Sequence, residues 1–174
     1  VGAYGSYVDD LLNAQSELAR SQQDAVLVLL DMEELAGRLP VVCAPGTRAG
    51  VEQEIEDCVG RVEQLLRSFR SGSSARMVLQ GLMVPDRTSL GDPGDANLPY
   101  SLTAAVTKLN RRLAELCRSI SGCIFFDVDR LAAGYGRARW QDASMFHASR
   151  LQVAAEFFPV YARGLAQELS VLFR

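Results

Sequence analysis

Residues 24–31, D-A-V-L-V-L-L-D, restrict the fold more than any other stretch, because six consecutive apolar side chains stand between two aspartates. The run is too short for an ordinary helix and lacks the alternation of a half-exposed strand, so it reads as the central strand of a parallel sheet. Residues 76–84 and 123–128, R-M-V-L-Q-G-L-M-V and C-I-F-F-D-V, read as the next two strands. Helical stripes alternate with them. Val51, Ile55, Val59, Val62, Leu65, Leu66 and Phe69 mark one face of a helix that opens near Ala49 and ends at S-G-S-S, residues 71–74. Ser101 caps another, carried by Leu102, Ala105, Val106, Leu109, Leu113, Leu116 and Ile120 and stopped by Gly122. A closing helix begins near Pro159 and runs on Val160, Leu165, Leu169, Leu172 and Phe173. This alternation predicts an α/β, doubly wound domain with helices on both faces of a parallel sheet. Right-handed crossovers place the loops after Leu30, Val84 and Val128 along one sheet edge, where such domains bind ligands.

Three strands make a small sheet of this kind. Residues 1–7, V-G-A-Y-G-S-Y, read as the end of a further strand opening into a loop, ahead of a helix marked by Tyr7, Leu11 and Leu12. One strand–helix unit is therefore expected upstream of Val1. A length of 174 residues fits a single domain, 1–174, around one core. Residues 32–49 contain two prolines and two glycines and read as loop, with a helical turn at 33–38. Residues 85–99, with three prolines and three aspartates, form a long polar loop directly after a strand, a position that often carries function.

The net charge of −3, with both signs interspersed, leaves no basic face for nucleic acid. No apolar run approaches the roughly 18 residues of a membrane span. The four cysteines, at 43, 58, 117 and 123, form no C-x-x-C pair, and with a single histidine they make no familiar zinc site. Reduced thiols in a cytoplasmic protein are expected.

Two groups of residues invite a chemical reading. Asp127 and Asp129 follow a strand, as in the D-x-D loop of HAD phosphatases, but Leu131 stands where that loop needs a small Thr or Val. Strand-end aspartates accepting backbone N–H groups of the next turn are the better expectation. Asp142 and His147 precede the closing helix, where a carboxylate and an imidazole would serve as orienting acid and general base. There the chain resembles SGNH hydrolases, whose last motif is D-x-x-H. It departs from them in the five-residue spacing of D-A-S-M-F-H, in Asp31-Met32-Glu33-Glu34 where G-x-N-D belongs, and in having no G-D-S.

A wider resemblance rests on G-S-Y-V-D-D-L-L-N-A-Q-S-E-L, D-A-V-L-V-L-L-D-M-E-E-L, K-L-N-R-R-L-A-E-L, F-F-D-V-D-R-L-A-A-G-Y-G, W-Q-D-A-S-M-F-H-A-S-R-L and F-F-P-V-Y-A-R-G-L-A. In these pieces and their order the chain resembles the N-terminal SGNH-like domain of FkbH-like proteins of the HAD superfamily, subfamily IIIC. The resemblance implies a flavodoxin-like three-layer sandwich. It also implies a role in loading a glyceryl unit onto an acyl carrier protein in polyketide-type biosynthesis. The chemistry would belong to a separate HAD domain with its own D-x-D motif and magnesium, so no cofactor or metal is expected in this domain. The expected role is binding the carrier protein or the HAD-type catalytic domain. Arg130, Arg137, Arg139 and Arg150, with Trp140 and Phe146, are the expected contact residues, since arginines suit an acidic partner and aromatic residues anchor interfaces. The alternative is an SGNH-type esterase or acyltransferase that uses Asp142 and His147 with a serine encoded upstream.

Overall fold

A computed structural model describes residues 7–13, 15–21, 23–43, 47–85, 98, 100–142 and 153–173. Strands β1 (Ala25–Leu29), β2 (Arg76–Gln80) and β3 (Cys123–Phe126) pair in parallel in the spatial order β1-β2-β3. Leu27 lies opposite Val78, and Val78 opposite Ile124. Because side chains alternate along a strand, Val26, Val28, Met77, Leu79 and Cys123 share one face, and Leu27, Val78, Ile124 and Phe126 share the other.

The first face carries most of the core. Helices α1 (Tyr7–Leu12) and α2 (Glu17–Arg20) lead into β1, and α3 (Met32–Ala36), α4 (Leu39–Cys43) and α5 (Arg48–Gly72) connect β1 to β2. Helix α6 (Leu102–Ser119) precedes β3. Ile55, Leu66, Leu109 and Leu113 are fully enclosed between α5, α6 and the sheet, each burial being worth about 2 kcal/mol. The second face is covered by α9 (Phe158–Leu172), which packs on β3 and β2. Between β3 and α9 lie α7 (Val128–Ala133), α8 (Arg137–Trp140) and a 3-10 turn (Ala155–Phe157). No helix among the described residues is long and apolar enough to cross a membrane.

The helix ends follow ordinary capping chemistry. The Ser101 side chain accepts from the Ala104 N–H at 3.0 Å, as its position in the sequence predicts. Gly122 turns the chain into β3 with φ 70°, a left-handed conformation that costs glycine little. Three expectations are corrected. Residues 32–49 are not mainly loop: Asp31 caps α3 by accepting from the Glu33 and Glu34 N–H groups at 2.8 and 3.2 Å, and Pro40 fits the first turn of α4. Residues 81–84 do not continue β2, although they stay buried. Gly81 N still donates to Phe126 O at 3.0 Å, but Leu82 is held by Asn110, whose side-chain amide accepts from Leu82 N at 2.9 Å and donates to Leu82 O at 2.7 Å. Last, β1 is not central among the described strands. It lies at the edge, with Leu27 38% and Leu29 52% exposed.

All four cysteines are buried thiols. Burial pushes the Cys58 thiol up to about 11, so it stays protonated at neutral pH and unreactive.

Two measurements follow from this packing. Asn110→Ala leaves two buried backbone groups of Leu82 without their partner and should lower stability by about 3 kcal/mol in urea unfolding. The Tyr161 hydroxyl donates to Gln80 Oε1 at 2.5 Å, and burial pushes it up to about 12. An acid whose pKa is raised on folding favours the fold below its unfolded pKa, near 10, and loses that contribution as pH rises towards 12. The melting temperature of the wild type should therefore fall between pH 10 and 12, and Tyr161→Phe should flatten that loss.

Candidate functional site

All three strands point their C-terminal ends at one edge, and a cavity of about 250 Å³ opens there beside β3. Val84, Ala114 and Phe125 give it apolar walls, and Thr107, Asn110, Arg111, Asp127 and Asp129 supply its polar atoms. Gly81 passes so close to Phe125 that an added Cβ would stand 2.4 Å from the ring, which explains a glycine in the middle of an apolar segment. Arg111 is exposed at the rim, 3.3 Å from Glu115.

The two aspartates after β3 have structural partners. Asp127 caps α7 by accepting from the Arg130 N–H at 3.0 Å. Asp129 accepts from the Val84 N–H at 3.0 Å and binds Arg137 in a two-pronged pair, Nε and Nη2 each 2.8 Å from one carboxylate oxygen. One carboxylate thus ties the segment after β2 to α7 and α8. The expectation of strand-end aspartates that accept backbone N–H groups of the next turn holds for Asp127, whereas Asp129 takes its N–H from Val84 in the segment after β2. Among the described residues no group of three or more His, Cys, Asp or Glu side chains is arranged to hold a metal ion.

The residues singled out in the sequence are dispersed. Arg130 is exposed on α7, and Arg137 is taken up by Asp129. Arg139 is exposed, 3.4 Å from Glu156 and 5.6 Å from the centre of the Phe157 ring. Trp140 is corrected from a contact residue to a core residue. It is wholly enclosed and stacked on Phe157 at 5.1 Å, with Tyr135 at 6.1 Å. Asp142 is half-buried just past α8. Phe146, His147 and Arg150 lie outside the described residues, as does nearly all of the loop 85–99. Sequence reasoning missed Asn110, although an asparagine beside Leu109 on an apolar helical stripe was a usable signal. It also missed the link from Asp129 to Arg137, eight residues apart and on different helices.

Comparison with known proteins agrees with this architecture. The model for the FkbH N-terminal domain matches residues 3–168. The chain belongs to that family. The FkbH domain is also similar in fold to the N-terminal part of the protein BF1531 from Bacteroides fragilis, described as containing a phosphatase domain complexed with Mg. The TM-score is 0.72 at 14% identity, over 95% of this chain and 42% of that one. The FkbH domain therefore spans less than half of that neighbour. No curated protein sequence matches it. The parallel α/β fold is common to both.

The bridging role of Asp129 can be measured. In a double-mutant cycle, Asp129→Ala and Arg137→Ala should couple by about 1 kcal/mol, a value limited by the partial exposure of the arginine. Asp129→Ala should be the costlier single change, at about 2 kcal/mol in urea unfolding, because the Val84 N–H also loses its acceptor.

Proposed function

We propose that this FkbH domain is the ancillary part of a glyceryl and acyl-carrier-protein loading system in polyketide-type biosynthesis. It binds the carrier protein or the HAD-type catalytic domain and performs no chemistry alone. The observation that carries this reading is the state of the carboxylates at the C-terminal sheet edge: Asp127 caps a helix and Asp129 holds Val84 and Arg137. Groups committed in this way stabilise loops and are poorly suited to proton transfer. Further support comes from the attached phosphatase domain of the B. fragilis neighbour, since a HAD phosphatase partner matches the chemistry expected of such a system. Magnesium would belong to that catalytic domain. The system would work in the cytoplasm, where carrier-protein loading and reduced thiols are compatible.

Of the arginines near the site, Arg130 and Arg139 are exposed and suit an acidic helix on a carrier protein. Titration calorimetry at low salt against an acyl carrier protein, and separately against a HAD-type catalytic domain, tests the reading. Binding to at least one is expected, and Arg130→Glu with Arg139→Glu should weaken carrier binding on the order of tenfold. Absence of binding to both, or hydrolysis of a p-nitrophenyl ester that is lost in His147→Ala, overturns it.

A further inference from the structure

The turn that joins α6 to β3 sets two of the four thiols against each other. The Cys117 carbonyl accepts from the Ile120 N–H at 3.1 Å, and the Ile120 carbonyl accepts from the Cys123 N–H at 3.2 Å. Two successive reverse turns thus separate the residues, with Gly122 at φ 70° in the second. Cys117 is buried at the end of α6, and Cys123 opens β3 on the sheet face that α6 covers, so both enter the same core. Their thiols are joined by a hydrogen bond.

The two sulfurs are not equivalent. The hydrogen bond to Cys123, together with burial, holds the Cys117 thiol well above the ordinary thiol range. The same bond moves the Cys123 thiol down, against the effect of burial, and the charge of Arg70 adds to the shift. Arg70 Nη2 donates to the Gly122 carbonyl at 3.3 Å and Nη1 to the Ser73 carbonyl at 3.1 Å. Its Nε is buried with no hydrogen-bond partner among the described residues, so the guanidinium is only partly satisfied. A cysteine beside an arginine, in contact with a second, protonated thiol, can attack an oxidant and have the product resolved by its neighbour. Cys123 keeps 7% of its surface and follows the exposed Ser121 and Gly122, so a reagent the size of water meets it at the margin of the core. Cys58 offers the contrast: it is wholly enclosed, and its thiol donates to the Leu35 carbonyl at 3.3 Å.

We propose that Cys117 and Cys123 form a redox-active dithiol that a small peroxide oxidises to an intramolecular disulfide and a small-molecule thiol reduces again. The Cys123 thiolate attacks one oxygen of hydrogen peroxide. The O–O bond breaks, leaving a sulfenic acid on Cys123 and a hydroxide that takes up the thiol's proton as water. The Cys117 sulfur then attacks the Cys123 sulfur, the S–S bond forms, and the S–OH bond breaks. The hydroxyl leaves with the Cys117 proton as a second water. Two thiols lose two electrons and one peroxide gains them. Because the thiols are already in contact, closing them to the bonding distance of about 2 Å needs no opening of the core. Two molecules of an added thiol reverse the step by exchange and leave as their own disulfide. The site stands at the N-terminal end of β3, away from the cavity beyond its C-terminal end, and does not depend on the function proposed above.

Mass spectrometry tests this on the folded, reduced protein treated with hydrogen peroxide at neutral pH, alkylated in denaturant and digested without reduction. Trypsin cuts after Arg118, so the disulfide should join two peptides, one carrying Cys117 and the other Cys123, with the loss of two hydrogens. Cys43 and Cys58 should be recovered alkylated, and dithiothreitol should abolish the cross-link. In Cys117→Ser the sulfenic acid should persist on Cys123 and be trapped by dimedone, whereas in Cys123→Ser no dimedone adduct should form on Cys117. Recovery of both cysteines as alkylated thiols from the treated wild type overturns the proposal. So does a cross-link that forms only in urea, one that joins two protein molecules, or oxidation of Cys123 to the sulfinic acid while Cys117 remains a thiol.

Discussion

Burial of β2 on both faces and along both edges is the constraint on which the rest of the domain depends. Met77, Val78 and Leu79 have no exposed surface, and their neighbours β1 and β3 are held in register by them. A strand so placed tolerates almost no polar group. Beyond the half-buried Arg76 at its start it has one, Gln80, which is buried and bonded to the Tyr161 hydroxyl of α9. That bond fixes α9 above the strand that organises both faces. The aromatic ring of Tyr161 also meets Phe126 edge-on at 5.5 Å, so α9 is located by one polar and one aromatic contact.

Where the parallel strands end, their backbone groups lose ladder partners, and side chains must replace them. Asp31 does this after β1, Asn110 and Asp129 after β2, and Asp127 after β3. This explains why acidic residues gather at the edge where α/β enzymes keep their catalytic groups. The same chemistry that makes a carboxylate useful to a substrate makes it useful to an orphaned N–H. In this domain the second use is the one with short, direct hydrogen bonds, and the cavity beside β3 is left with apolar walls and a charged rim.

The three strands and the two long helices on the first face were legible in the sequence because their apolar periods are long and unbroken. Val51 to Phe69 and Leu102 to Leu116 mark stripes that survive folding unchanged. Helices α3, α4, α7 and α8 are four to six residues long, too short for periodicity to register, and they depend on caps and tertiary contacts. Trp140 was misjudged for a related reason. An aromatic residue between arginines resembles an interface anchor in one dimension, and only the stack on Phe157 reveals it as core. The apolar run of β1 foretold burial correctly on one face, but a run of leucines and valines carries no information about which neighbour provides the cover.

The two faces of the sheet differ in completeness. On the first face the ion pairs Lys108–Glu52 and Arg112–Glu56 bridge α5 and α6, yet both are solvent-exposed and contribute little beside the leucines and isoleucine beneath them. That face needs nothing more. On the second, α9 has no fully buried residue and, among the described residues, none covers Leu27 and Leu29, so exposed apolar surface is concentrated on the β1 side. The exposed arginines of α7 and α8 follow β3, at the opposite edge of the sheet, about 10 Å away across two strand spacings. Any displacement of β1 is passed to β3 through β2, whose enclosed side chains allow little independent movement of its two neighbours.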